Sequence, residues 1–388
     1  METVGFILSI IVGLLLLVFL VVVHELGHAI VARRNGVVVE EFGIGFPPKA
    51  WGKKLKNGVL FTLNWLPLGG FVKLQGESDS ANKKGDYGAA SLWAKTKILL
   101  AGVGINWLVA AILFTLLALT GLPKFTGVID NQFTIPGDTT EVREPVSIGT
   151  VVSGSPAEKA GLASGDQLVR FAGQALDEPG DLNDLTKQNH GKTVEIIYKR
   201  DNVEHQVNAT LLADNKDGKG YFGVGPAQRT LLRSTWSAPI VGVVTTYQLT
   251  EATIKSLGGM VANLATGLVE KLSSNEQTRT HANEKLDEIG QNVAGPVGIL
   301  GVIFPAAVEA GFGTLVLLTA IISLTLAVMN VLPIPALDGG RLFVTLLFRV
   351  LKKPLTKERE EKIHATGFMV LMGLVVLVTI ADVSKLGH

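Results

Sequence analysis

Residues 4–34 read VGFILSIIVGLLLLVFLVVVHELGHAIVARR, an apolar run that carries His24, Glu25 and His28 before ending at Arg33-Arg34. About 20 apolar residues at 1.5 Å each cross the hydrocarbon of a bilayer. The run is long enough to hold both histidines and the glutamate below the surface. Met1-Glu2 stands where a cleavable signal needs basic residues, and no small-residue cleavage site follows. Residues 4–32 are therefore expected to be a retained span.

The chemistry sits in His24-Glu25-Leu26-Gly27-His28. Helix positions four apart share a face, so His24 and His28 can offer two imidazoles to one zinc ion, with Glu25 beside them as general base. A polar His–Glu network between helices is the other reading, but ionisable groups inside a span are expensive unless they pair or bind something. Catalytic zinc usually takes three protein ligands. With Cys 0, the third must be His or a carboxylate. Asp338, in Asn330-Val331-Leu332-Pro333-Ile334-Pro335-Ala336-Leu337-Asp338-Gly339-Gly340, is the candidate. Pro333 and Pro335 end an apolar run, and Gly339-Gly340 would permit a tight turn aiming the carboxylate back at the metal. Read alone, the same residues make an ordinary Asp-Gly turn.

Outward from these motifs, a mean hydropathy of +0.37 with 18% charged residues resolves into long apolar runs joined by polar sequence. Further spans are expected at 98–122, closed by Pro123, at 312–333, and at 365–381. The segments 33–97 and 341–364 are rich in Lys and Arg, which places them in the cytoplasm. Residues 126–226 and both termini then lie outside. Within 33–97, Val59–Leu74 mixes β-formers with Pro67 and Gly69-Gly70, as a short membrane-associated β-loop would. The stretch 231–272 could be a fifth span, but Arg233, Glu251, Lys255 and Glu270 interrupt it. A fifth crossing would also carry Asp338 to the side of the membrane away from the histidines. Amphipathic helices on the outer surface across 227–311 are therefore expected instead.

HELGH in the first span with NVLPIPALDGG after the third resembles the site-2 protease family, in particular its bacterial regulator of sigma-E protease branch. Pro67-Leu68-Gly69-Gly70-Phe71-Val72-Lys73 is similar to that branch's β-loop, and Gly295-Pro296-Val297-Gly298-Ile299 to its stretch before the third span. Ala101-Gly102-Val103-Gly104-Ile105-Asn106 resembles its second-span motif, with Val103 where Pro is expected. Val151–Leu168, with a strand, a Ser-Pro helix start and a Gly-Asp turn, resembles a single PDZ domain spanning about 146–213. The resemblance implies a polytopic α-helical membrane protein of about four transmembrane helices, with a membrane-associated β-loop and an inserted extracytoplasmic PDZ (α/β) domain. It implies Zn2+ on His24, His28 and Asp338, and Glu25 as catalytic base.

It further implies a multi-pass enzyme of the inner or plasma membrane whose active site lies near the cytoplasmic side. Its substrates would be transmembrane proteins, among them anti-sigma factors or signal-peptide remnants, already shortened by another protease. Asn330 would position the unwound substrate, and the strand Phe71, Val72, Lys73 and Leu74 would pair with it. Asn106 reads equally as a helix-packing amide. The rival classes are a protease cutting loops in water, an inactive PDZ scaffold and an ion transporter. A net charge of +1 offers no case for nucleic acid.

Overall fold

A computed structural model describes residues 3–200, 203–215, 220–272, 275–292 and 294–386. The chain forms two compact units: Met1–Leu117 with Gly127–Phe133 and Pro239–His388, and Ala118–Thr126 with Thr134–Ala238.

Helix α1 (Thr3–Arg34) opens the first unit, and its burial is inverted relative to a helix in water. Its buried positions include Ser9, Gly13, His24, Gly27 and His28, while Leu8, Leu15 and Phe19 face outward. Small and polar residues inside with leucines outside is the arrangement that apolar surroundings favour. Gly13 permits the close approach of a neighbour, since a Cβ there would lie 2.6 Å from Phe304 Cγ.

Strands β1 (Val39–Lys54) and β2 (Leu60–Leu74) follow as an irregular antiparallel sheet. The part of β1 around 41–44 pairs with 70–73 on one side and with 60–63 on the other, and 51–54 returns to pair with 60–63. Pro47 and Pro48 cannot donate to a ladder, and the pairing steps from Phe46 to Lys49 across them. The β-loop expected within 59–74 is thus built from 39–74. Helix α2 (Leu92–Thr120) begins ahead of the expected residue 98, because Ser91 Oγ caps Ala94 N–H and buried Lys95 pairs with Asp79.

The second unit holds β3 (Leu122–Pro123), β4 (Thr140–Arg143), β5 (Ser147–Val151), α3 (Pro156–Lys159), β6 (Gln167–Phe171), β7 (Gln174–Ala175), α4 (Pro179–Gln188), β8 (Thr193–Arg200), β9 (Val203–Thr210), β10 (Val224–Ala227) and β11 (Thr230–Arg233). One sheet runs β10-β5-β6-β8-β9 with β7 on β6, and a second runs β3-β11-β4. Val194, Ile196 and Tyr198 alternate inward from β8 onto Phe171, Leu182, Leu185 and Phe222. Phe222 belongs to this core and β10 pairs with β5, so the unit continues past the expected end at 213.

The first unit resumes with α5 (Ala238–Lys271), α6 (Glu276–Asn292), α7 (Pro296–Gly298), a π-helical turn Ile299–Ile303, α8 (Phe304–Glu309), α9 (Phe312–Val331), α10 (Asp338–Val350) and α11 (Lys357–Leu386). Among the described residues, four helices are long and apolar enough to cross a membrane: α1, α2, α9 and α11. Helix α5 is not one of them, and Glu251 and Lys255 form an ion pair on its surface. The segment 341–364, read from sequence as a basic loop, contains most of α10 and the first two turns of α11. Phe368, Met369, Leu374, Leu377 and Ile380 of α11 are all exposed, an apolar face that water would penalise.

Candidate metal centre

Helix α1 presents His24 and His28 one turn apart on its buried face, and the first residue of α10 brings Asp338 to them. Asp338 Oδ2 lies 3.2 Å from His24 Nε2 and 3.2 Å from His28 Nε2, and the two Nε2 atoms are 3.2 Å apart. Nitrogen and oxygen ligands roughly 2.0–2.1 Å from a tetrahedral zinc stand about 3.3 Å from one another. Two imidazoles and one carboxylate at this spacing are a donor set that fits zinc. Burial acts to raise the Asp338 carboxyl, but its bonds to His24 and His28 outweigh that and hold it well below the usual carboxylate range.

The turn into Asp338 is made differently from the sequence expectation. Gly339 and Gly340 are helical, and what they supply is closeness. A Cβ on Gly339 would sit 2.2 Å from the Val331 carbonyl oxygen, and one on Gly340 1.9 Å from that of Ile334. The reversal falls at Ala336, with φ +88°, whose N–H donates to His364 Nδ1 at 3.1 Å. One turn beyond Asp338, Arg341 bonds the Glu77 carbonyl, lies 3.5 Å from Glu360 and stacks over Tyr87. That network holds the start of α10 to the chain that follows β2.

Helix α2 supplies the surroundings of the imidazoles from three successive turns. His28 Nδ1–H donates to the Ile98 carbonyl at 2.7 Å, which turns Nε2 toward Asp338. Four residues on, a Cβ at Gly102 would lie 2.5 Å from both His24 Cε1 and His28 Nε2, so only glycine leaves the rings their place. Four further on, the fully buried Asn106 sets its Nδ2 3.3 Å from His24 Nδ1. Gly27 of α1 meets the Ala101 carbonyl just as closely, at 2.8 Å from a would-be Cβ. The Ile98 carbonyl left no trace in the sequence. Gly102 and Asn106 did, as a small and a polar residue four apart in an apolar helix.

Glu25 is half-buried beside the pair, with the Val72 N–H of β2 facing its carboxylate. Gly70 backs onto Glu25 Cγ and Val21 Cγ1, each 3.5 Å from where its Cβ would be. Leu74 N–H donates to Glu77 Oε1 at 2.8 Å. The other strand residues diverge: the Phe71 ring covers Gly43, Lys73 pairs with Glu40 at 3.1 Å, and Leu74 packs in the core around Ala32 and Tyr87. Asn330 donates to the Leu326 carbonyl of its own helix at 2.9 Å, and it does not line the cleft that opens on Asp338. That cleft measures about 890 Å³ and runs past Lys73, Leu74, Glu77, Arg341 and His364.

The pattern of Peptidase family M50 matches residues 12–374. A Clostridium perfringens protein is 32% identical over 96% of this chain and 98% of its own. The zinc metalloprotease RasP of Geobacillus kaustophilus is 27% identical over 99% of each chain. The regulator of sigma-W protease RasP of Bacillus subtilis is 26% identical over 95% of this chain and 96% of its own. Among solved structures, the PDZ domain of an SdrC-like protein from Listeria monocytogenes aligns with 24% of this chain and 94% of its own, at 24% identity and a TM-score of 0.20.

Proposed function

The chain belongs to peptidase family M50, and from that premise we propose that it is a zinc endopeptidase hydrolysing peptide bonds inside the membrane-spanning segments of other proteins. The observation that carries the reading is the meeting of His24 and His28, on a helix of membrane-crossing length, with Asp338, 314 residues after His24. Zinc, held by those three residues, supplies a Lewis acid that lowers the pKa of water and polarises a carbonyl.

Glu25 is the base: it takes the proton of the attacking water and returns it to the leaving amine. The 70–74 segment of β2 lies along Glu25, so an unwound substrate is received there as an added strand. A helix must open before cleavage because its amides are bonded internally. Phe71 and Lys73 flank Val72 in this segment, with their own backbone paired to β1, and Asn330 is kept as a contact for the entering chain. The second unit is read as a PDZ domain outside the cytoplasm that binds or sterically filters substrate ectodomains. The Bacillus relative is named for sigma-W regulation. By that analogy the substrates are membrane-anchored anti-sigma factors or signal-peptide remnants, trimmed first by another protease.

Reconstitution with zinc and a single-span substrate tests the proposal. Glu25→Gln is expected to lose about 10²–10⁴-fold in cleavage rate while its zinc content is unchanged. Equal cleavage by both proteins would sink the reading. Product masses placing the cut outside the apolar segment would convert the enzyme into a loop-cutting protease.

A further inference from the structure

His24 has a second partner that the family reading does not use. Its Nε2 lies 3.2 Å from Asp338 Oδ2, as that of His28 does, so both Nε2 atoms converge on the same carboxylate. Its Nδ1 faces the other way, and the side-chain amide of Asn106 lies 3.3 Å from it. His28 Nδ1–H donates to the Ile98 carbonyl, which fixes that ring with Nε2 toward Asp338. A zinc ion needs the Nε2 lone pair of both rings. His28 presents its own because its proton is on Nδ1. His24 does so with its proton on Nδ1 likewise, where that N–H requires an acceptor.

Asn106 offers that acceptor. Its Oδ1 is buried with no hydrogen-bond partner, although the residue is fully enclosed. An orphaned buried oxygen is costly and calls for a reason. An amide carries donor and acceptor in one plane with nearly the same shape at either end, so the same side-chain placement presents Oδ1 to a protonated His24 Nδ1. Ser323 Oγ of α9 donates to the Asn106 carbonyl at 2.8 Å and anchors the residue in front of His24.

We infer that Asn106 is the positioning residue of His24: its Oδ1 accepts the His24 Nδ1–H and so holds the imidazole with Nε2 toward Asp338, where a metal ion would be bound. The inference rests on the zinc reading of the site. Partners of this kind, which orient a ligating histidine, are worth about 10–100-fold in metal affinity.

The test is a Zn2+ titration of the purified full-length chain, stripped of metal and competing with a fluorescent chelator. Wild type is expected to bind one ion per chain. Asn106→Leu, of similar shape but without an acceptor, is expected to bind about 10–100-fold more weakly. Asn106→Asp, which offers only acceptors, is expected to retain wild-type affinity. If the Leu variant binds like wild type, or if Asp and Leu weaken binding equally, the positioning role is overturned and Asn106 is a packing residue. A wild type that binds no zinc, or binds it equally after His24→Ala, overturns the zinc reading instead. A 15N spectrum of histidine-labelled, zinc-loaded wild type adds a readout that needs no variant to fold: the proposal requires His24 to be protonated at Nδ1, and an unprotonated Nδ1 there refutes it.

Discussion

A methyl group on Gly102 would lie 2.5 Å from His24 Cε1 and 2.5 Å from His28 Nε2, inside any permitted contact. Helix propensity argues the opposite way, since alanine favours an exposed helix interior over glycine by about 1 kcal/mol. The two effects act on different observables. Propensity governs whether α2 forms, and the clash governs whether the imidazoles stand where Asp338 can reach them. Gly102→Ala is therefore expected to keep its helical circular dichroism and thermal midpoint while losing bound zinc. Metal analysis of the purified variant should show at least a tenfold fall in affinity, on the scale set by the loss of ligand orientation. Full zinc content would mean the rings can yield without losing the site. Close approach also explains Gly27, Gly339 and Gly340, all of which face backbone oxygens at distances a side chain would not allow.

At the scale of elements, the edge of β2 at Val72 and Leu74 is occupied by carboxylates. Val72 N–H faces Glu25 and Leu74 N–H donates to Glu77. Residues two apart on a strand direct their N–H groups to the same edge. Among the described residues, segment 70–74 pairs with β1 on its other side alone. Proline is tolerated where the N–H points away from the ladder. Val72→Pro should thus leave the sheet folded and the zinc affinity unchanged, yet remove the donor an added strand would meet. Cleavage of a single-span substrate is expected to fall at least tenfold, about the worth of one hydrogen bond to a charged or reacting group; undiminished cleavage would remove β2 from the substrate path. How much of this was legible in sequence depended on range. HELGH was readable because a spacing of four on one helix is a local matter, and Asp338 because the expected crossings bring it to the histidines' side and its NVLPIPALDGG setting carries the resemblance. Strand β1 was not, since Gly43, Gly45, Pro47 and Pro48 break every local β signal and its pairing is made by β2. Helix α10 was hidden for a similar reason: Gly339-Gly340 argue against a helix until the backbone of 331–334 is seen pressed against them. Asn106 could be seen as unusual but not as a partner of His24, because the registry of α1 against α2 is set by Gly27 and Gly102 together.

For the whole molecule, the remaining question is which side of a bilayer each loop occupies. The burial pattern of α1 and the outward apolar face of α11 argue for apolar surroundings, and four helices have the length. Neither fact orients the chain. Orientation rests on Lys and Arg, whose bias toward the cytoplasm acts over short loops near span ends. On that rule the segments between α1 and α2 and between α10 and α11 would share the cytoplasmic side, and the second unit would face the other compartment. The absence of cysteine makes this testable with no background thiol. Lys84→Cys, Lys353→Cys and Lys187→Cys each replace an exposed lysine, the last in the second unit. In intact cells or spheroplasts, a membrane-impermeant maleimide is expected to label Lys187→Cys alone. After permeabilisation all three should react, since their exposure in the folded chain is similar. The reverse pattern would turn the enzyme over while leaving its metal site intact. Labelling of Lys84→Cys and Lys353→Cys from opposite sides would be more serious. An odd number of crossings would then separate the end of α1 from the start of α11, and His24, His28 and Asp338 could not share one ion.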